Sequence, residues 1–291
     1  VRFGVTLLTD LPWAESRPRW IAAEELGLDH AWTYDHLTWG TLPDAPWRDA
    51  LTTLAAAAAL TSRIGLGTAV TAPNFRHPLP LFREVQALDE ISEGRFLLGL
   101  GVGGDLDAGK LGTPPMPAKE RVDRFQEFTD LLLRLRTEDH VDAAGRWFST
   151  VDARTAPTAS TPFVVSGNGP RSLRYAARVG DGWMTTGRPA DGLDAWFSQL
   201  ATMVATLEEG LVRAGRDPLT FPRYLLMDAP KAFGHGVFAL ESPGLFEEMT
   251  GRAAALGFTD LVTHWPRQTE PYRGSEQVLE QVCSDVLPRW R

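Results

Sequence analysis

Hydrophobic positions along the chain switch repeatedly between two periods. Phe3 to Leu8 is a short apolar run of strand length, and Arg17 to Leu26 then places Trp20, Ile21, Ala23 and Leu26 at helical spacing before Gly27 stops it. His30 to Tyr34 reads as a second strand, followed by a loop rich in Trp and Pro and an alanine-rich helix from Ala50 to Leu60. Ile64 to Val70 with Leu79 to Ser92, and Phe96 to Leu100 with Glu120 to Leu135, continue the alternation. From Thr137 to Thr161 the rhythm breaks, which predicts an insertion or a short hairpin. Four further pairs follow: Phe163 to Ser166 with Pro170 to Val179, Gly182 to Thr185 with Leu193 to Ala214, Arg223 to Met227 with Leu245 to Leu256, and Asp260 to Thr263 with Gln277 to Leu287. Eight strand-helix units without a linker predict one α/β domain, a (β/α)8 TIM barrel with an insertion near 137–161. In that fold the reacting groups stand on loops leaving the C-terminal ends of the strands.

Composition narrows the partners. The 29 Lys and Arg against 37 Asp and Glu give a formal charge of −8, with no basic cluster, so neither nucleic acid nor an anionic membrane surface is an expected partner. A small-molecule substrate is expected instead. The single Cys283 allows no internal disulfide and no sulfur-ligated zinc. No apolar run approaches the roughly 18 residues of a membrane span, and Val1 to Val5 reads as a strand rather than a signal peptide, so the expected location is the cytoplasm. Of the ten tryptophans, Trp20, Trp196 and Trp290 fall on predicted helices, while Trp13, Trp39, Trp47 and Trp265 fall on loops beyond strand ends.

Four strand ends carry candidate chemistry. Gly99 to Gly104 spells G-x-G-x-x-G, but a dinucleotide site needs a helix to open at the third glycine. The prolines at 114, 115 and 117 predict no helix before about Ala118, leaving a flexible loop or glycines that let a flat ring approach the backbone. In Ser166-Gly167-Asn168-Gly169-Pro170, a strand ends in small residues and Pro170 opens a helix, so free amides face outward at the positive end of its dipole. An ordinary turn is the alternative. Thr185-Thr186-Gly187-Arg188 at the next strand end adds two hydroxyls and a cation, and the two turns together suggest a phosphate site. Tyr34-Asp35-His36 supplies an imidazole that titrates near neutrality beside a carboxylate that can tune it, a candidate acid/base. Of the other histidines, His30 reads as structural and His77 as a helix cap, His140 and His235 lie in irregular segments, and His264 sits beside Trp265 past the last strand. No HxH, HxxxH or HExxH spacing occurs, so no catalytic metal is expected.

Taken in order, Ala23-Glu24-Glu25-Leu26-Gly27, Tyr34-Asp35-His36-Leu37, Thr61-Ser62-Arg63-Ile64-Gly65, Arg76-His77-Pro78, Ser92-Glu93-Gly94-Arg95-Phe96, Gly99 to Gly103, Gly167 to Ser172 and Gly182-Trp183 resemble the bacterial luciferase-like flavin enzymes over nearly the whole chain. The resemblance implies the same barrel with an insertion and a reduced flavin, or the deazaflavin coenzyme F420, with its ring in the barrel mouth. One branch of that family uses reduced FMN and oxygen to oxygenate a substrate through a flavin hydroperoxide. The other passes a hydride between F420 and an alcohol, an imine or an activated alkene. Asp35-His36 followed by Trp39, and the stretch ending Arg76-His77-Pro78, look more like the F420 branch, which is favoured over FMN. A non-catalytic flavin-binding member of the fold is the third reading.

By position, the resemblance places a non-prolyl cis peptide at Ala69-Val70 behind the ring, lets the ring approach Gly101 and Gly103, hydrogen-bonds it to Asp35 and makes His36 the acid/base. Ser166, Gly167, Asn168, Gly169 and Thr186 match phosphate-binding positions. Trp13, Trp39 and Trp265 would wall the substrate pocket. Arg188 resembles a basic position that holds a substrate phosphate in relatives oxidising sugar phosphates. Those relatives carry a glutamate after strand four where this chain has Gly103-Gly104-Asp105, with Asp105 an inexact substitute, so a phosphorylated substrate is not predicted. Members of the family often dimerise through barrel helices, and the small residues of Ala50 to Leu60 suit a homodimer as well as a buried face.

Overall fold

The computed structural model describes residues 1–229 and 234–291. In chain order the elements are β1 (Arg2–Thr6), α1 (Trp13–Glu25), β2 (His30–Thr33), α2 (Ala50–Ala58), β3 (Gly65–Thr68), α3 (Pro78–Ile91), β4 (Phe96–Leu100), α4 (Leu106–Lys110) and α5 (Ala118–Thr137). They continue with β5 (Val141–Ala144), β6 (Ser149–Ala153), β7 (Phe163–Ser166), α6 (Pro170–Val179), β8 (Gly182–Thr185), α7 (Leu193–Arg213), β9 (Arg223–Leu226), α8 (Pro243–Ala255), β10 (Asp260–His264) and α9 (Glu276–Gln281). Among the described residues, eight strands close into a barrel in the order β1, β10, β9, β8, β7, β4, β3, β2. Paired neighbours run parallel, as β1 does with both β10 and β2. The expected (β/α)8 barrel is therefore the fold. Burial on both faces explains why its strands read as nearly unbroken apolar runs, His30–Thr33 and Gly182–Thr185 being buried throughout.

Several boundaries differ from the sequence reading, each for a local reason. Helix α1 begins at Trp13, four residues early, because the amides of Glu15 and Ser16 already bond to the Pro12 carbonyl. The absence of a helix before Ala118 is corrected by α4: the prolines act only from residue 114, and one turn closes ahead of them through Gly109 N–H to Asp105 O before Gly112, at φ +73°, ends the segment. Helix α8 starts at Pro243 because the Ser242 hydroxyl caps the Leu245 amide. The long loop 228–244 includes residues 230–233, which lie outside the described residues. Where the rhythm breaks, β5 and β6 pair antiparallel as a hairpin. Its turn is pinned by Glu127 of α5, whose carboxylate accepts the amides of Arg146, Trp147 and Phe148.

Internal contacts gather into two compact units. One comprises Val1–Leu8, Arg17–Trp32 and Val164–Arg291. Its interior is held by stacked Trp183 and Phe258 and by α6 against α7, where Gly210 leaves room for Ala177. The other comprises Thr9–Ser16 and Thr33–Phe163, with α3 and α5 packed together and Phe128 edge-on to Phe148. No helix among the described residues is long and apolar enough to cross a membrane.

Candidate active site

Asp35 and His36 leave the end of β2 in different directions. Asp35 is buried, and its carboxylate accepts the Thr71 hydroxyl at 2.8 Å and a two-pronged contact from Arg76, with Nε at 3.0 Å and Nη2 at 2.7 Å. Arg76 also reaches Asp49 and Glu84. Burial works against its charge, yet Asp35 and Asp49 hold the Arg76 guanidinium above its ordinary range. The expectation that Asp35 tunes His36 is thereby corrected, because its oxygens are engaged by the loop after β3.

The carboxylate that reaches His36 is Asp107, in the unexpected helix α4. His36 Nδ1 lies 2.6 Å from Asp107 Oδ2, and Asp107 Oδ1 accepts the Leu37 amide at 2.8 Å. Asp107 is 2% exposed. Burial alone would raise its pKa, but His36 and the amides of Leu37 and Thr38 hold it below the ordinary carboxylate value. The His36 side chain keeps 26% of its surface, and Nε2 has no protein partner among the described residues. Tyr34 stands edge-on at 6.1 Å between ring centroids and also packs against Trp39, which lies 6.2 Å from Trp47. Trp39 is partly open, as a pocket wall requires, and Trp13 is half-buried at the head of α1.

After β3 the Ala69-Val70 peptide is cis, with Ala69 N–H on the Thr33 carbonyl and Val70 half-buried. Thr71 bonds to the next strand on both sides, giving its amide to Gly99 and accepting that of Gly101. Gly103, at φ +68°, has a reason within the protein: a Cβ there would fall 2.3 Å from Asn74 Nδ2 and 2.8 Å from Ala72 Cβ. Asn74 in turn donates to the Gly104 carbonyl and accepts from buried Arg124. Asp105 pairs with Arg121 at 2.7 Å.

In the other unit, the turn after β7 is fixed by Asn168, which donates to the Gly187 carbonyl and accepts the Thr185 hydroxyl at 2.7 Å. Thr185 also accepts the Gly187 amide. Of the two hydroxyls expected to face a phosphate, that of Thr185 is therefore internal and buried, and only Thr186 is exposed, beside exposed Arg188. Half-buried Ser166 closes the strand. Gly169 caps α6 without any side-chain hydrogen bond, Pro170 occupies its first turn, and a Cβ on Gly169 would meet nothing within 4 Å. An open, uncapped helix N-terminus suits an anion. Trp265 is buried, its N–H donated to Glu276 at 2.7 Å, which makes it a packing residue more than an open wall. His264 is buried too, stacked on Tyr272 at 3.6 Å and bonded to Asp228. No cluster of three metal-ligating side chains occurs among the described residues.

The sequence profile of the luciferase-like monooxygenases matches residues 1–226. The chain belongs to this family. It is 35% identical, over 93% of each chain, to an F420-dependent glucose-6-phosphate dehydrogenase of Intrasporangium calvum. Among solved structures it is similar to an F420-dependent secondary alcohol dehydrogenase in complex with an F420-acetone adduct, with a TM-score of 0.82, 18% identity and coverage of 100% of this chain and 99% of that one. It is likewise similar to the monooxygenase RslO1 from Streptomyces bottropensis, with a TM-score of 0.81, 19% identity and full coverage of both chains.

As a luciferase-like family member the chain is an enzyme, and the candidate site brings together residues whose contacts the sequence alone does not show. Asp107 lies 71 positions from His36, so no local spacing signals the pair. Asn74 and Arg124, 50 positions apart, are equally silent. Thr185 was visible as a hydroxyl, but only the paired strand ends show that it orients Asn168.

Proposed function

We propose that this family member is an oxidoreductase that transfers a hydride between coenzyme F420 and a small organic substrate, with His36 as the acid/base. One observation carries the reading: a partly open imidazole at a strand end, its Nδ1 committed to a buried carboxylate, in a chain 35% identical over 93% of its length to an F420-dependent dehydrogenase. The residues present fit the cofactor. In one unit, uncapped Gly169, the amides that open α6 and exposed Thr186 would suit a phosphate; in the other, Ala69, Val70 and Asp35 would suit a flat ring. Bound F420 would supply the hydride acceptor or donor.

The chain's own task is then the proton. Removing a hydride from an alcohol carbon leaves a proton on its oxygen, and His36 Nε2, without a protein partner among the described residues, accepts it; in the reverse direction the imidazolium returns it. Partly open Trp39 borders the pocket and limits water. The substrate class proposed is a small organic molecule such as an alcohol, an imine or an activated alkene. A homodimer and a cytoplasmic location belong to the same reading, the buried, unpaired Cys283 agreeing with a reducing compartment.

Titration of the purified protein with F420 and with FMN, each followed by tryptophan quenching, tests the cofactor. F420 is expected to quench at micromolar concentration. FMN binding in that range with no response to F420 overturns the proposal in favour of the oxygenating branch.

A further inference from the structure

We infer that Asp107 is the positioning residue of this enzyme, fixing the His36 ring in the tautomer that leaves Nε2 as the proton acceptor; the inference rests on the acid/base role proposed for His36. A carboxylate offers only acceptors, so the 2.6 Å contact to Oδ2 places a proton on Nδ1, and in the neutral ring the lone pair is then on Nε2. The orientation of the carboxylate is itself fixed: Oδ1 takes the Leu37 amide at 2.8 Å, and the group is 2% exposed. No lysine or arginine pairs with Asp107 among the described residues, so the only cation available to its buried charge is the imidazolium that forms when Nε2 accepts the substrate proton. The neighbouring charged groups are engaged elsewhere, Asp35 with Arg76 and Asp105 with Arg121, and Tyr34 presents a ring edge.

The step balances simply. The alcohol O–H bond breaks as the Nε2–H bond forms, F420 when bound would take up the hydride as the carbonyl forms, and Asp107 stays ionised throughout. It stabilises the imidazolium without taking its proton.

Two measurements test the assignment. The first is nitrogen-15 NMR of histidine-labelled protein without cofactor near neutral pH, with His36→Ala used to assign the signal. In the neutral form of the ring the proton is expected on Nδ1, and a neutral ring with its proton on Nε2 overturns the inference. The second is a double-mutant cycle. Asp107→Asn is expected to lower kcat roughly 100-fold or more with F420 affinity, read by tryptophan quenching, changed less than about threefold, and Asp107→Glu to recover part of the loss. In a His36→Ala background the same Asn substitution should cost nothing further, whereas a merely structural carboxylate would cost the same in both. Undiminished turnover in His36→Ala would instead remove the acid/base reading itself. Impaired His36→Ala with unimpaired Asp107→Asn would remove only the role of Asp107. Should Asp107→Asn fail to fold, the NMR measurement on the unaltered chain still decides the tautomer.

Discussion

His30 opens strand β2 and His36 follows its end, and each ring contacts a buried aspartate, yet the two sites are chemically opposite. At His30 both nitrogens are engaged: Nε2 lies 3.0 Å from Asp260, and Nδ1 accepts the Trp32 indole N–H at 2.7 Å. Asp260 is closed in the same way, by Arg2 and by the Thr259 hydroxyl. With 2% of its surface exposed, His30 has no lone pair to offer a substrate. His36 shares the carboxylate but has no second partner among the described residues, and that difference is what the proposed acid/base role rests on. A histidine-aspartate pair therefore becomes informative only when every donor and acceptor around it has been accounted for.

Removing the two rings' functions should separate the sites cleanly. His36→Ala is expected to reduce kcat by about 10²- to 10⁴-fold while F420 still quenches tryptophan fluorescence and the thermal midpoint stays within a few degrees. Turnover equal to the unaltered enzyme would break the comparison. Asp260→Ala should show the inverse pattern, with about 3 to 5 kcal/mol lost in denaturant unfolding because a buried ring loses its charged partner, and with activity per folded molecule retained. A drop in activity without a loss of stability would place chemistry at the wrong end of the strand.

Acid should weaken the closed site in a direction its environment dictates. Burial would raise the Asp260 carboxyl, but His30, Thr259 and Arg2 hold its folded pKa below the ordinary value. A depressed folded pKa contributes stability above the unfolded value, near about 4, and that contribution disappears as the pH falls through the folded value. Unfolding curves of the unaltered chain and of Asp260→Ala should thus differ most at neutral pH and converge in strong acid. A gap that persists undiminished in strong acid would show that the loss in the variant is a packing defect rather than a charge effect.

The fold was legible because strand and helix periods are local properties. Phe163–Ser166 and Gly182–Thr185 were bounded to the residue, and His77 was read correctly as the cap of α3, where it accepts the Leu79 amide. The candidate site was legible only as far as single strand ends reach. Asp35 and His36 are adjacent in sequence, which made them look like partners, but neighbouring side chains leave an extended backbone in opposite directions. Asp35 consequently meets Arg76, and His36 meets Asp107 in a helix that the nearby prolines concealed. Tryptophan shows the same limit: Trp39 and Trp265 both follow strand ends, and burial alone distinguishes the open ring from the one bonded to Glu276.

The smallest effects come from two glycines that a motif reading treats alike. Gly103 stands at φ +68° with Asn74 and Ala72 against it, so Gly103→Ala must strain the backbone and displace the side chain that links Gly104 to Arg124. A loss of about 1 to 3 kcal/mol is expected in denaturant unfolding. Gly169 has an extended backbone, φ −103° and ψ 159°, and open space where a Cβ would stand, so Gly169→Ala should change stability by less than about 0.5 kcal/mol. If the head of α6 holds the cofactor phosphate, that methyl group occupies room the anion needs to approach the amides, and F420 affinity should weaken roughly tenfold while folding is untouched. Undisturbed affinity in Gly169→Ala would return this turn to an ordinary strand-to-helix connection, and a stable Gly103→Ala would shift the explanation of that glycine from the protein's own packing toward the ligand.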